Sequence, residues 1–271
     1  MTDDYNSLPT PPWWSSPESR RAARDEERRT RRQAQAVERA ASRGPGRPET
    51  PPHAPVTPEN IADAALRLID AQGVDGLTVR ALAHELGVGT MTLYWYVQNK
   101  EEVLDLVADR LLAGLSFPAA DQDWRLSIRE GLHAVRSALL RHARAVPIMI
   151  GRGSFGPNGL RLIEESIAVL RRAGFGPSDA ADAYFTVSNF VTGFCTFETS
   201  ALSVKNKPDI DMKGYAQLIK QYIESLPFER YPNLQAAAPR IFGASLDERF
   251  SFGVDCLVAG LEARLGEGRT S

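Results

Sequence analysis

The chain has only two cysteines, Cys195 and Cys256, in 271 residues. That is too few for the disulfide framework of a small secreted domain, so a reducing compartment is expected. It lacks an apolar run of about 18 residues or more, so no membrane-spanning helix is expected. It lacks a charge excess: 32 Lys+Arg face 34 Asp+Glu, a net of −2, which excludes a globally basic nucleic-acid binder. It lacks the charged-then-apolar opening of a secretory leader, since Asp3, Asp4 and Asn6 come first; a cytoplasmic location is expected. No stretch alternates apolar and polar residues as a strand would, which leaves an all-α protein. What the chain does have is length for one large domain or two smaller ones, and 43% hydrophobic residues to fill a core.

Proline is unevenly spread, with ten of 18 in the first 58 residues. Residues 1–56 therefore read as a disordered Arg/Pro-rich extension: proline removes backbone donors, and few large apolar groups offset chain entropy. Between Glu18 and Pro48 ten arginines oppose five acids, a local net of +5. Ser19 to Ser42 has the composition of a transient polar helix. A basic arm of this kind either is a solvated tail or touches DNA, holding phosphates or entering the minor groove. Gly46-Arg47-Pro48 matches the core of an AT-hook, and the choice stays open here.

From Thr57 the pattern turns helical. Thr57-Pro58-Glu59 supplies an N-cap, a proline at the first helical position and an acid in the first turn. Ile61, Ala64, Ala65, Leu68 and Ile69 give one apolar face, and Gly73 and Gly76 end it. Thr78 caps a second helix, with Val79, Leu82, Ala83 and Leu86 inward. Gly87-Val88-Gly89 makes a tight turn, and a third helix over about residues 90–97 turns Leu93 and Val97 inward. Two short helices joined by a Gly turn and packed on a longer one predict a helix-turn-helix unit. Thr90, Met91, Thr92, Tyr94, Trp95 and Tyr96 are then free to project into a major groove. Their hydroxyls suit phosphates and base edges, and their methyls suit the thymine methyl. Packing against the next helix is the competing role for Trp95 and Tyr96.

Charge opposes this reading. Residues 57–105 hold three basic residues (Arg67, Arg80, Lys100) against eight acids, a net of −5. Such a unit needs its few cations at the interface. Arg80, in the first turn of the second helix, and Lys100, just past the third, are placed for it, and the N-terminal arginines could supply more.

Leu77-Thr78-Val79-Arg80-Ala81-Leu82-Ala83, Leu86-Gly87-Val88, Thr92-Leu93-Tyr94-Trp95-Tyr96-Val97 and Asn99-Lys100 resemble the tetracycline-repressor (TetR) family. Trp124-Arg125, the run from Ala138 to His142, Gly174-Phe175, Phe252-Gly253 and Gly260-Leu261-Glu262 extend the resemblance to that family's ligand-binding half. By position, the resemblance assigns DNA contacts to Thr78, Arg80, Thr90, Met91, Thr92, Tyr94, Trp95 and Lys100. Arg80 suits a guanine, Thr92 a base or thymine methyl, and Thr78, Tyr94 and Lys100 suit phosphates.

The domains expected are the extension 1–56, a helix-turn-helix domain 57–104, a helical effector-binding and dimerisation domain 105–266, and a tail 267–271. In the effector part, helical spacing appears in Val103, Val107 and Leu111, in Ile128, Leu132, Val135 and Leu139, and in Leu160, Ile163, Ile167 and Leu170 up to Gly174. A long apolar helix from about 177 to 202 and a last one from about 246 to 265 complete it. In the family the two long C-terminal helices pair with their copies. The resemblance thus implies a homodimer whose interface takes in Gly193, Gly253, Cys256 and Gly260. Intramolecular packing is the other use of such small residues. A dimer would set two reading helices about 34–36 Å apart on a palindromic operator.

Tetracycline itself is not the expected effector. Its family binders place a histidine on the drug's magnesium, and the matching Ile148-Met149-Ile150-Gly151 has none. Their polar drug contacts fall near Gly131 and Ser166. A pocket lined by His133, Met149, Phe155, Ser166, Phe185, Asn189 and Phe194 would suit a mostly apolar small molecule with one or two polar handles.

Gly151-Arg152-Gly153-Ser154-Phe155-Gly156 matches a dinucleotide fingerprint by letter, but helices flank it where a strand is required. The four histidines lack metal-ligand spacing, and no GxSxG elbow occurs. No metal, cofactor or enzymatic activity is expected. The function read from the sequence is a ligand-responsive dimeric DNA-binding regulator, a repressor released from its operator by effector. A ligand-independent regulator is the alternative, and a small-molecule enzyme a distant third.

Overall fold

A computed structural model describes residues 56–117, 122–152, 155–205, 212–226 and 228–267. The Arg/Pro-rich extension but for Val56, the Gly46-Arg47-Pro48 tripeptide and nearly all of the tail lie outside them. Among the described residues the fold is all-α, without strands. The helices are α1 (Pro58–Gln72), α2 (Val79–Glu85), α3 (Thr90–Leu93), α4 (Lys100–Leu111), α5 (Trp124–Arg141), α6 (Pro157–Ala173), α7 (Pro177–Lys205), α8 (Met212–Glu224), α9 (Pro232–Gly243) and α10 (Leu246–Glu267). Two 3₁₀ turns, Val74–Gly76 and Val146–Met149, join them.

The chain divides into two compact units, one running to Ala113 and taking in Gly151–Leu160, the other Gly114–Ile150 and Arg161 onward. In the first, local chemistry sets each boundary. The Thr57 hydroxyl accepts the Asn60 N–H at 3.2 Å and starts α1. Gly73 ends it at φ +78°, a conformation that favours glycine. The Thr78 hydroxyl accepts the Ala81 N–H at 3.1 Å and starts α2. Ile61, Ala65, Ile69, Leu82, Leu93, Val97, Val103 and Val107 are buried and form one core. The helix expected over 90–97 is shorter: α3 stops at Leu93, and Tyr94–Tyr96 form a turn. Val97 still closes the core from beyond that turn. Leu86, expected inward, is half-buried.

In the second unit α5 packs on α7 and α10. Ile128, Leu139, Leu170, Phe250 and Val254 fill its centre. Helices α8 and α9 were not foreseen in the sequence. Pro232 opens α9 and Pro239 sits inside it, and proline there interrupts the apolar period that marks a helix. Ser245 and Glu248 start α10 as a reciprocal pair: the Glu248 carboxylate accepts the Ser245 N–H at 2.7 Å, and the Ser245 hydroxyl accepts the Glu248 N–H at 3.2 Å.

Candidate nucleic-acid interface and effector unit

The tight turn after α2 decides what α3 presents. Gly87, at φ +67°, reverses the chain, and the Val88 N–H returns to the Ala83 carbonyl at 2.9 Å. α3 then starts at Thr90 with Gly89 as its N-cap. Leu93 and Val97 take the inward positions, so the remaining side chains must face solvent. Met91 is 72% exposed, Tyr94 45% and Trp95 37%. Thr90 and Thr92 are also exposed, whereas Tyr96 is half-buried. The arrangement is a short helix and the turn that follows it, with hydroxyls and a methionine exposed on the helix, aromatics exposed on the turn, and Leu93 and Val97 anchoring both from beneath. Asn99 caps the following α4, its side chain accepting the Glu102 N–H at 2.9 Å, and Glu102 reaches back to the Gln98 N–H at 3.0 Å.

The cations of this unit divide sharply. Arg67 pairs with Glu85 at 2.8 Å. Arg110 forms a two-pronged contact with Asp63, at 2.6 and 3.0 Å, and this partner holds its guanidinium above the ordinary range. Arg152 pairs with Glu101 and with Asp105. Lys100 is half-buried and donates to the Val74 carbonyl at 2.9 Å, so this ammonium ties α4 to the 3₁₀ turn. Arg80 is exposed. Among the described residues it is the one cation of the unit with neither a hydrogen bond nor an ion pair. Thr78 is exposed while its oxygen caps α2, which leaves its O–H free to donate.

Sequence reasoning missed Asp109. This carboxylate is buried on α4 and accepts the Gly159 N–H at 2.9 Å and the Asn158 amide at 2.8 Å. It caps the first turn of α6. A Cβ added at Gly156 would lie 2.4 Å from the Asp109 carboxyl carbon, so that glycine is what lets the two segments meet.

In the effector unit the proposed lining residues do not form one group. His133 and Phe194 both meet Phe250, with ring centroids at 5.0 and 5.1 Å, and Phe190 stacks on Phe250 at 5.4 Å. Ser166 is buried and donates to the Leu162 carbonyl at 2.6 Å. Met149 is half-buried at the end of its 3₁₀ turn. Phe155 is exposed and counts with the other unit. Phe185 and Asn189 are exposed on α7, the Asn189 amide donating to the Phe185 carbonyl at 2.8 Å. They share that face with Gly193 and exposed Phe197, at spacings of four residues. On α10, Phe252, Cys256 and Gly260 repeat the spacing and are exposed. Nothing lies within 4 Å of a Cβ added at Gly193 or Gly260. Gly253 differs: its Cβ would sit 2.5 Å from the Phe190 ring, so it makes room for an internal aromatic.

A buried charge also escaped the sequence reading. Arg136 on α5 is bidentate to Glu198 on α7 at 2.9 and 2.8 Å and meets Asp247 on α10 at 2.7 Å. Its guanidinium lies 4.9 Å from the centroid of Phe250. Cys195 beside it is buried, and burial pushes its thiol up to about 12.

Comparison with known proteins bears on both units. Residues 61–107 match the family described as bacterial regulatory proteins, tetR family, and residues 117–265 match the tetracyclin repressor-like C-terminal domain. The chain is similar to the HTH-type transcriptional repressor DrrR1 of Streptomyces coeruleorubidus, with 27% identity over 82% of this chain and 83% of that protein. It is similar to the class A tetracycline repressor from transposon 1721 of Escherichia coli, with 33% identity over 76% of this chain and 91% of that one. Among solved structures it resembles ActR of Streptomyces coelicolor in complex with actinorhodin, with TM-score 0.73 and 33% identity over 79% of this chain and 99% of ActR.

Proposed function

The chain belongs to the TetR family of bacterial transcriptional regulators, ligand-responsive DNA-binding proteins and not enzymes, and from that premise we propose how its residues divide the work. Thr90, Met91, Thr92, Tyr94 and Trp95 form the surface that enters the major groove. Arg80, uncommitted to any acid, donates its planar fork to a guanine. Thr78 holds a phosphate, and Lys100, tied to Val74, contributes as a placed positive charge. The observation that carries the reading is the exposure of Thr90, Met91 and Thr92 on α3 and of Tyr94 and Trp95 on the turn after it, above buried Leu93 and Val97. Its test is the pair Thr92→Ala and Trp95→Ala. Sequence-selective DNA binding is expected to disappear while the melting temperature holds; retained selectivity would overturn the assignment.

The protein acts as a homodimer on a palindromic operator in the cytoplasm and represses until effector binds. The α7 stripe Phe185, Asn189, Gly193 and Phe197 and the α10 stripe Phe252, Cys256 and Gly260 support that dimer, being exposed faces with room for another helix. A glycine inside a helix costs about 1 kcal/mol relative to alanine, and here no intramolecular neighbour uses the space. Phe185 and Asn189 are better suited to this face than to a pocket. Residues 1–56, 57–104, 105–266 and 267–271 then serve as extension, reading domain, effector and dimerisation domain, and tail.

The effector reading rests on ActR, whose structure holds actinorhodin, and on the cluster of His133 and Phe194 with Phe190 and Phe250. A mostly apolar small molecule with one or two polar groups suits such walls. A magnesium-bound tetracycline does not fit. Ile148–Gly151 offer no imidazole, and a Cβ at Gly131 would lie 2.3 Å from the Phe117 ring, so a larger polar side chain at position 131 has no room beside that ring.

A further inference from the structure

Three carboxylates stand one turn apart along α4: Glu101, Asp105 and Asp109. They meet a later part of the chain that belongs to the same unit. Asp109 is buried and holds Asn158 and Gly159. Glu101 and Asp105 are exposed, and both pair with half-buried Arg152, Asp105 at 2.6 Å. The two ends of this contact differ in what they can do. The buried Asp109 carboxylate, with its donors and with no room for a Cβ at Gly156, anchors the later segment on α4. An exposed ion pair adds little to stability. Anchoring therefore falls to Asp109, and what Arg152 adds is charge.

That charge falls where the reading unit lacks it. Residues 57–105 carry a net of −5. Arg67 is matched by Glu85 and Arg110 by Asp63. At the start of α4, residues 100–107 set Lys100 against Glu101, Glu102 and Asp105, so 1 − 3 gives −2. Arg152, 47 residues beyond Asp105, brings this to −1. Lys100 is one of the charges assigned to DNA, and Glu101 is its immediate neighbour. We propose that Arg152 is a positioning residue for operator binding. It offsets the Glu101 and Asp105 carboxylates, so that the edge carrying Lys100 meets the phosphates with half the negative excess. Duplex DNA presents one phosphate charge per about 1.7 Å of axis, and a carboxylate pair left bare beside it repels whatever the base sequence. At about 10 Å in water one unit charge changes affinity by about twofold per phosphate before salt screening, and a dimer counts the effect in both half-sites.

This inference rests on the DNA face proposed above, and its experiment separates the two. Four full-length variants are compared with the parent: Arg152→Gln, Arg152→Lys, the pair Glu101→Gln with Asp105→Asn, and that pair combined with Arg152→Gln. Each is titrated with a selected operator duplex and with an unrelated duplex, at about 50 and about 200 mM NaCl. Arg152→Gln should bind both duplexes about fourfold or more weakly at the lower salt, with a smaller loss at the higher, where screening is shorter-ranged. Arg152→Lys should bind as the parent does. The carboxyl pair should bind both duplexes more tightly than the parent. The triple change should restore parental affinity or exceed it, although no ion pair is left. A triple variant as weak as Arg152→Gln would make Arg152 a strap whose geometry matters and would overturn the charge role. Parental affinity in Arg152→Gln, or no gain in the carboxyl pair, would overturn it as well. If Arg152→Gln fails to fold, the carboxyl pair, which keeps Arg152, decides. A parent without preference for the selected operator would overturn the α3 assignment, while the charge series on the unrelated duplex stands or falls by itself.

Discussion

Asp109 and Gly159 are joined by a 2.9 Å hydrogen bond from the Gly159 N–H to a buried carboxylate. Asp109 belongs to α4, which follows the reading helix, and Gly159 to the first turn of α6, which runs on into the effector unit. Both residues belong to the first unit, and the contact fixes the first turn of α6 against α4 within it. Asp109→Ala strands the Gly159 N–H and the Asn158 amide, at about 1–3 kcal/mol for each buried group left unpaired. The expected result is a fall of several degrees in melting temperature. An unchanged melting temperature would show that the cap is dispensable.

Arg80→Ala should weaken binding to the preferred operator by about 1–3 kcal/mol and relax base preference at one position of each half-site. Competition titrations against duplexes altered at single base pairs read this directly. Equal weakening on every sequence would place Arg80 on a phosphate.

Arg136→Met removes the partner of Glu198 and leaves a carboxylate buried between α5 and α7. Breaking such a pair costs about 3–5 kcal/mol. Urea unfolding should show that loss, and Arg136→Met combined with Glu198→Leu should recover most of it, because the uncompensated charge is gone. If the single variant is as stable as the parent, the pair contributes little.

The two cysteines report on the dimer. Cys195 is buried with its thiol pushed up to about 12, so it resists alkylation in the folded chain. Cys256 is exposed on the α10 stripe of a single chain. In the proposed dimer that stripe is covered, so iodoacetamide should label Cys256 slowly at micromolar protein and faster on dilution. Labelling at a constant high rate would remove α10 from the interface.

Much of the reading unit was legible because its determinants are local. Thr57 and Thr78 cap helices through neighbours three residues on, and Leu93 and Val97 follow from spacing. The early end of α3 was not legible, since nothing in Tyr94-Trp95-Tyr96 distinguishes a turn from a helix. The effector unit was harder. α7 is apolar around most of its circumference, so spacing could not say that Phe185 and Asn189 face outward. Arg136 and Glu198 are 62 residues apart, and Asp109 and Gly159 are 50 apart, so only the folded chain reveals them as pairs. Ser245 and Glu248, by contrast, carry a capping-box signature that a sequence reading can use.

The central claim is that α3 reads bases twice over from a symmetric pair. Selection of binding sites from a random duplex pool by the purified full-length protein tests it most directly. Enrichment of a palindrome with half-site centres about 34–36 Å apart, or a multiple of that, is the result predicted. Enrichment of single unpaired sites, or of no sequence at all, would contradict it.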